Sequence, residues 1–133
     1  MNALPRPPSY PADKQPAIRQ VMMPRDTNAL GTIFGGVILS YIDLAAATEA
    51  HRYHPGKLVT VAFDQVEFKQ PVFVGDLVSF FAETARVGRT SITVAVSVWA
   101  QRALRRDQIV HVTEGKVTLV AVDEHMKPTP VKG

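Results

Sequence analysis

The sequence predicts an α+β domain in which a curved antiparallel sheet wraps around one long central helix. One apolar stretch of helical length is followed by four segments with the alternating pattern of strands, and the links between them are short. Consecutive strands joined by short links pair antiparallel. A helix that is apolar on nearly all sides can be buried only if the sheet curls around it.

The segment before the helix is rich in proline and in turn-forming residues. Residues 1–16 hold five of the ten prolines, so we expect an extended or disordered arm there. A short first strand is predicted over residues 17–23. A loop over residues 24–32 follows, because aspartate, threonine, asparagine and glycine favour turns.

The helix is predicted over residues 34–53 and ends at the His-Pro-Gly sequence of residues 54–56. Its polar side chains are concentrated in the last two turns, so we expect only that end to reach water. In the apolar part, over residues 37–47, Asp43 is the single charged residue. A carboxylate in such surroundings is costly unless it is paired or hydrogen-bonded.

Four segments after the helix have the composition and alternation of strands. In the last of them, Gly115 interrupts the pattern, and we expect a β-bulge there. A tail over residues 124–133 follows, so the folded domain is predicted over residues 17–123. The four predicted strands cover residues 58–69, 77–87, 91–99 and 109–122.

Composition and charge narrow the class of protein. A chain of 133 residues, 46% of them hydrophobic, forms one domain with a substantial core. The net charge of +3 allows an anionic ligand, but we expect no nucleic-acid partner, because basic residues are not interleaved with aromatic ones. Without cysteine there are no disulfides, thiolate metal sites or cysteine nucleophiles. No spanning segment or signal peptide is visible, so we expect a soluble, cytoplasmic protein with no membrane partner.

The start of the helix and Asp43 carry the main functional signal. The first N–H groups of a helix have no internal acceptor and lie at the positive end of its dipole. Gly35 and Gly36 let another molecule approach these groups closely, although glycines serve close packing against a strand equally well. Asp43 lies two turns after Gly36 on one stripe with Leu39. It suits a general base acting on water or a nucleophile, the alternative being a structural acid held by Ser40 or another hydroxyl.

Several stretches of the chain resemble one known family. They are DTNALGTIFGG, Asp43 within the helix, TVAFDQVEFKQPVFVGD, and the later VGRTS and VAVD. Together they are similar to the hotdog-fold acyl-CoA thioesterases, above all to the small bacterial acyl-CoA hydrolases related to the mammalian cytosolic long-chain enzyme. The resemblance covers roughly residues 18–131. It implies the hotdog fold, hydrolysis of acyl-CoA to free fatty acid and CoA, and a role in fatty acid metabolism. It also implies a homodimer with active sites at the interface, often assembled into a hexameric trimer of dimers.

The resemblance assigns catalytic roles to two residues and favours a third that the start of the helix already suggests. The catalytic asparagine and aspartate of the family correspond to Asn28 and Asp43, contributed by different protomers. The N–H of Gly36, one of the free groups at the helix start, suits an oxyanion donor, and the resemblance favours this role over close packing. Without the resemblance, Asn28 would be interpreted as a turn residue that holds its own backbone.

The resemblance also implies a binding site for the CoA part of the substrate. The corresponding segment is an ordinary basic hairpin turn when it is considered alone. No metal or redox cofactor is implied, because CoA enters only as part of substrate and product. The residues expected to bind substrate are Gly35, Lys69, Arg86, Arg89, Thr90 and Ser91.

Two other functions fit parts of the sequence. A hotdog dehydratase would need a histidine with an acid, and no histidine occupies the expected helix or loop position. A non-catalytic acyl-CoA-binding hotdog sensor would keep the basic turn without needing Asp43, so the presence of Asp43 favours an enzyme. His51 and His54 share a helix face but lack a third ligand, so no metal site is predicted.

Overall fold

The computed structural model describes residues 9–132, so the first half of the predicted arm, residues 1–8, lies outside the described residues. The described chain contains one α-helix, one short 3₁₀ turn over Pro24–Asp26, and five strands. None of its helices has the length and apolar character that crossing a bilayer requires. In chain order the elements are β1 (Ile18–Val21), α1 (Gly35–Ala50), β2 (Lys57–Asp64), β3 (Leu77–Val87), β4 (Ser91–Gln101) and β5 (Ile109–Val122).

Four predicted elements differ in length from the structure: the helix, the strand after it, the first strand, which is shorter than the predicted residues 17–23, and β4, which extends two residues beyond the predicted residues 91–99. The helix ends at Ala50 and not near residue 53, because the backbone tightens at His51, whose N–H bonds to both Ala47 O and Glu49 O. Strand β2 ends at Asp64 and not at residue 69, because Gln65 has a positive φ of 61° and turns the chain out of the sheet. The bounds of β3 and β5 agree with the prediction.

The five strands form one curled antiparallel sheet in the order β1-β3-β4-β5-β2. The expectation that all consecutive strands pair is wrong for β2 and β3. Strand β2 lies at one edge of the sheet, and β4 and β5 separate it from β3. The crossover between β2 and β3, residues 65–76, is too long for a hairpin. It is hydrogen-bonded to β5, where Lys69 N donates to Val112 O, and to the residue pair before the helix, where Val72 O accepts from Ile33 N. Within residues 9–132, the hairpins are β3–β4 and β4–β5.

Helix α1 packs on the concave face of the sheet along one side only. The opposite side is exposed along the whole helix, so the expectation that only its last turns reach water is wrong. The physical reason is that a single curled sheet covers one side of a helix, and Leu44 remains 56% exposed. The buried residues of α1 are Ile38, Ile42, Ala45, Ala46 and Ala50, and the exposed stripe is Gly36, Ser40, Leu44 and Thr48.

Strand β5 has its bulge at Val112 and not at Gly115, so the predicted position is wrong. Val98 pairs with Thr113 and the next residue pairs with His111, which leaves Val112 as the extra residue. Gly115 stands directly opposite a β4 residue in regular register. Its lack of a side chain serves a close approach: a methyl group placed on it would lie 2.6 Å from Cγ2 of Val66.

Both described ends of the chain pack against this sheet-and-helix unit. In the tail, Val131 is only 3% exposed and belongs to the core, and its carbonyl oxygen lies 2.9 Å from Nδ1 of His54. At the other end, the ring of Tyr10 contacts Phe81 and Trp99 edge-on, with centroids 5.6 and 5.4 Å away. The core therefore extends to residue 131.

Candidate active site

The first turn of α1 presents two backbone donors to the outside. The chain enters the helix through fixed backbone, because Ile33 N donates to Val72 O and Phe34 N donates to Asp26 O, both at 2.8 Å. The N-cap Phe34 supplies no side-chain acceptor. Within the described residues no protein acceptor meets the N–H of Gly35 or Gly36. These two groups therefore form a preorganised site for a negatively charged or polarised oxygen.

Glycine at position 36 keeps these donors accessible. A methyl group placed on Gly36 would lie 2.8 Å from Cε2 of Phe34, whose side chain is itself 58% exposed. At Gly35 the nearest atom would be Cζ of Phe68 at 3.7 Å, an ordinary contact. A side chain at position 36 would thus fill the approach to the N–H groups and displace an exposed ring, with little effect on buried packing.

Asp43 is half-buried on the side of α1 that faces strand β2. Its Oδ1 accepts a hydrogen bond of 2.5 Å from the hydroxyl of Thr60. The alternative partner considered from the sequence, Ser40, donates to Val37 O instead. No hydrogen bond to Oδ2 of Asp43 is present among the described residues, so one oxygen is fixed and the other is available for chemistry.

Thr60 is a site residue that the sequence did not reveal. It lies within a valine-rich strand and pairs with Leu119, next to the register shift between Thr60 and Ala62. Because of that bulge, alternation along β2 does not show which side chains face the helix. A hydroxyl among valines was the one available signal, and threonine is common in strands.

The acid near the other end of α1, Glu49, serves a structural purpose. Its Oε2 accepts hydrogen bonds from the hydroxyl of Thr84 at 2.7 Å and from the Thr84 N–H at 3.3 Å. Burial acts to raise the pKa of Glu49, but the hydrogen bonds from Thr84 and Arg52 outweigh burial and lower it. Glu49 is thus bonded to β3 through Thr84 and also to Arg52, whereas Asp43 has one bond among the described residues, from Thr60 of β2.

Asn28 holds its own loop within a single chain. Its Oδ1 accepts from the N–H of Leu30 at 2.8 Å and from that of Thr32 at 3.3 Å. Its Nδ2 donates to the hydroxyl of Thr32 at 3.0 Å. This is the geometry of the turn residue that the sequence alone suggested. One of the two N–H bonds on Nδ2 has no acceptor among the described residues.

The predicted CoA-binding turn joins β3 and β4. Gly88 N donates to Ser91 O at 2.7 Å, and Thr90 O accepts from Ala121 N at 2.9 Å, so the turn is fixed to β5. Arg89 is exposed and, together with Lys132, lines a cavity of about 310 Å³. Arg86 is exposed nearby on β3, after the register shift between Thr84 and Arg86.

Lys69 lies far from that turn. It belongs to a second cavity of about 300 Å³, here named the helix-start cavity. Lys69 is attached to β5 at Val112, whereas Ser91 pairs with Val120. Eight residues of strand separate Val112 from Val120, which is about 26 Å. One chain therefore does not bring Lys69 and Arg89 together. The helix-start cavity is lined by Thr32, Ile33, Gly35, Ile38, Phe68, Lys69, Gln70, Pro71 and Val72.

Gly36 and Asp43 share one side of the helix but are separated along it. Seven residues at the standard rise place them about 10 Å apart along the axis. An amide donor and a general base that act on one carbonyl group each lie within hydrogen-bond reach of the reacting atoms or of one water. The single chain thus presents the predicted catalytic groups without bringing them together. Nowhere in the described part do three His, Cys, Asp or Glu side chains come together to hold a metal ion.

Comparisons with known proteins agree with this architecture. The family model of the thioesterase superfamily matches residues 30–105. The acyl-CoA thioester hydrolase YciA of Salmonella typhimurium is 38% identical over 116 residues, covering 86% of this chain and 87% of the relative. An uncharacterized acyl-CoA thioester hydrolase of Zymomonas mobilis is 40% identical over 117 residues, covering 88% and 78%.

Solved structures show the same fold. Cj0915, a hexameric hotdog fold thioesterase of Campylobacter jejuni, is 44% identical with a TM-score of 0.82, covering 88% of this chain and 90% of that one. HI0827, a hexameric broad specificity acyl-coenzyme A thioesterase, is 36% identical with a TM-score of 0.83, covering 90% and 82%. The predicted fold class and the resemblance are confirmed, and the chain belongs to the thioesterase superfamily with its hotdog fold.

Proposed function

We propose that this protein hydrolyses acyl-CoA thioesters to free fatty acids and CoA. The observation that carries the proposal is the pairing, on the exposed side of one helix, of free N–H groups at Gly35 and Gly36 with the carboxylate of Asp43 held by Thr60. Relatives named as acyl-CoA thioester hydrolases, at 37–40% identity over most of the chain, support the same activity.

The chemistry follows from the donors and the base. The thioester oxygen accepts the Gly36 N–H, which stabilises the negative charge that develops as the carbonyl carbon is attacked. Asp43 takes a proton from the attacking water, whose oxygen bonds to the acyl carbon. The carbon–sulfur bond then breaks, and the proton passes to the CoA sulfur. Direct attack by the Asp43 carboxylate through an anhydride is the alternative path to the same products. Water is the only co-reactant, and the proposed steps require no metal or redox cofactor.

The active site is completed by a second copy of the chain. Ser40 belongs to the exposed stripe of α1, and two antiparallel helices related by a two-fold axis that passes near Ser40 would place Gly36 opposite the partner subunit's Asp43. Strand β2 is an edge strand with Val61 and Phe63 exposed by 58% and 41%, an apolar edge suited to pairing with its own copy. We therefore propose a homodimer with two sites, and the hexameric neighbours support a trimer of dimers.

The remaining predicted residues have roles at this interface. The unused N–H of Asn28 Nδ2 orients the thioester or the water in the site that contains the partner subunit's Asp43. The exposed Arg86 and the turn of Arg89, Thr90 and Ser91 bind the phosphates of CoA. We place the enzyme in the cytoplasm and in fatty acid metabolism, since a cysteine-free chain suits a reducing compartment.

The test is thiol release from a series of acyl-CoA esters, measured for wild type, Asp43→Asn and Glu49→Gln. We expect wild-type turnover, loss of turnover with retained CoA binding in Asp43→Asn, and turnover near wild type in the matched control, whose acid contacts only its own chain. Acyl-CoA binding without turnover at any chain length would instead identify a sensor and overturn the proposal.

A further inference from the structure

The helix-start cavity lies directly beside the free N–H groups of α1, and its floor is apolar. Ile33, Ile38 and Val72 are only 6%, 1% and 4% exposed. The one charged side chain that lines it, Lys69, has its Nζ directed to Glu114 Oε1 at 3.4 Å. The apolar floor of this cavity suits a hydrocarbon chain, and the charge of Lys69 is shared with Glu114.

One wall of this cavity is a fixed aromatic ring. The residues on either side of Phe68 are bonded to β5, because Thr113 Oγ1 donates to Glu67 O at 2.6 Å and Lys69 N donates to Val112 O at 2.7 Å. The ring lies over the first helical residue and is nevertheless 45% exposed. An apolar surface held in place beside an open cavity is stabilised when a hydrocarbon ligand covers it.

We propose that the helix-start cavity receives the acyl chain of the substrate and that Phe68 limits the length of that chain. The inference rests on the proposed function, since Gly35 lines the cavity and an oxygen bound at the adjoining N–H groups of Gly35 and Gly36 brings the acyl carbon close to it. A volume of about 300 Å³ is at the lower end for small-molecule sites, so short- to medium-chain acyl groups fit.

The test compares kcat/KM for a series from butyryl-CoA to palmitoyl-CoA in wild type, Phe68→Ala and Phe73→Ala. In wild type we expect a rise of about fourfold for each methylene that enters the cavity, followed by a plateau or a fall. Phe68→Ala moves the maximum to longer chains and raises the kcat/KM ratio of dodecanoyl-CoA to hexanoyl-CoA by about tenfold or more. Phe73 is the matched control, because it lies in the same crossover, is 42% exposed and does not line the cavity.

A larger side chain should narrow the cavity and have the opposite effect. We expect Phe68→Trp to shift the maximum of kcat/KM to shorter acyl chains. If wild type hydrolyses the esters but Phe68→Ala keeps the profile of Phe73→Ala, the acyl-chain assignment is overturned while the proposed function stands. An unchanged profile with weakened association in light scattering would show that Phe68 contacts a second copy, which also overturns it. Absence of wild-type turnover with every ester overturns the proposed function itself.

Discussion

Asp43 and Thr60 act as one unit at the scale of single residues. The hydroxyl of Thr60 fixes Oδ1 of Asp43 and leaves Oδ2 directed away from that bond. A carboxylate bound through one oxygen keeps a single orientation while its second oxygen remains free to accept a proton. In the proposed reaction Thr60 is therefore a positioning residue, which acts through Asp43 and does not touch the substrate.

Replacing Thr60 by valine keeps the shape of the side chain and removes the hydrogen bond. Because a hydrogen bond to a charged group is worth about 1.5–3 kcal/mol, we expect kcat to fall by roughly tenfold to a hundredfold while KM changes little. Thr60→Ser restores the hydroxyl and should recover most of kcat. Steady-state kinetics with an acyl-CoA ester measure both effects. Equal kcat values in Thr60→Val and wild type would contradict the positioning role.

Gly36→Ala separates the two explanations of the glycine pair. Alanine favours a helix over glycine by up to about 1 kcal/mol, so we expect the free energy of unfolding to stay equal or rise. The added methyl group lies 2.8 Å from the Phe34 ring and obstructs the N–H groups, so kcat/KM should fall by roughly 10²-fold. Denaturant unfolding and thiol release give the two readouts. Lower stability with retained activity would show that the glycine serves packing.

These residues differ in how far the sequence could reveal them. Asp43 is visible because a carboxylate conflicts with the apolar helix around it, and Gly36 because it stands where a helix begins. Thr60 is hidden because its facing depends on a bulge in β2. The local bonds of Asn28 fit a turn residue, so its proposed catalytic role depends on contacts that a single chain does not contain.

At the scale of elements, local pattern determines strands and long-range contacts determine their neighbours. The alternation of β3 and β5 was sufficient to predict their bounds. Alternation was not sufficient to predict that β2 pairs with β5, since that pairing depends on the path of the crossover between β2 and β3. The prediction that α1 is buried on nearly all sides failed for a related reason, because composition does not say how many layers of structure cover a helix.

At Gly115, strand β5 is in close contact with Val66 of the crossover between β2 and β3. A methyl group there would meet Cγ2 of Val66 at 2.6 Å and Asp64 O at 3.3 Å, so Gly115→Ala should destabilise the fold by about 1–3 kcal/mol. Adding Val66→Ala removes the closer contact and should recover part of the loss, since the backbone oxygen remains. Urea unfolding of the single and double variants measures this. A double variant no more stable than Gly115→Ala would mean that the backbone contact determines the cost.

At the scale of the whole molecule, the features that one chain leaves incomplete lie on one side. The exposed stripe of α1, the unpaired edge of β2 and the axial separation of about 10 Å between Gly36 and Asp43 all concern the part of the molecule formed by α1 and β2. A two-fold pair would cover the apolar stripe and bring the catalytic groups together in the same step. Folding, assembly and activity are therefore coupled in the proposed enzyme.

This coupling predicts that two inactive variants restore activity when they share a dimer. In a mixed dimer of Asp43→Asn and Gly36→Ala chains, one site carries both substitutions and the other carries neither, if Gly36 and Asp43 act across the interface. Each mixed dimer then has one intact site out of two, so mixed dimers purified through both tags should recover about half of the wild-type activity. The measurement is thiol release after coexpression of the two chains with different affinity tags and purification through both. Each variant expressed alone is the control. If the mixed dimers stay as inactive as the parents, both groups act within one chain and the shared site is wrong.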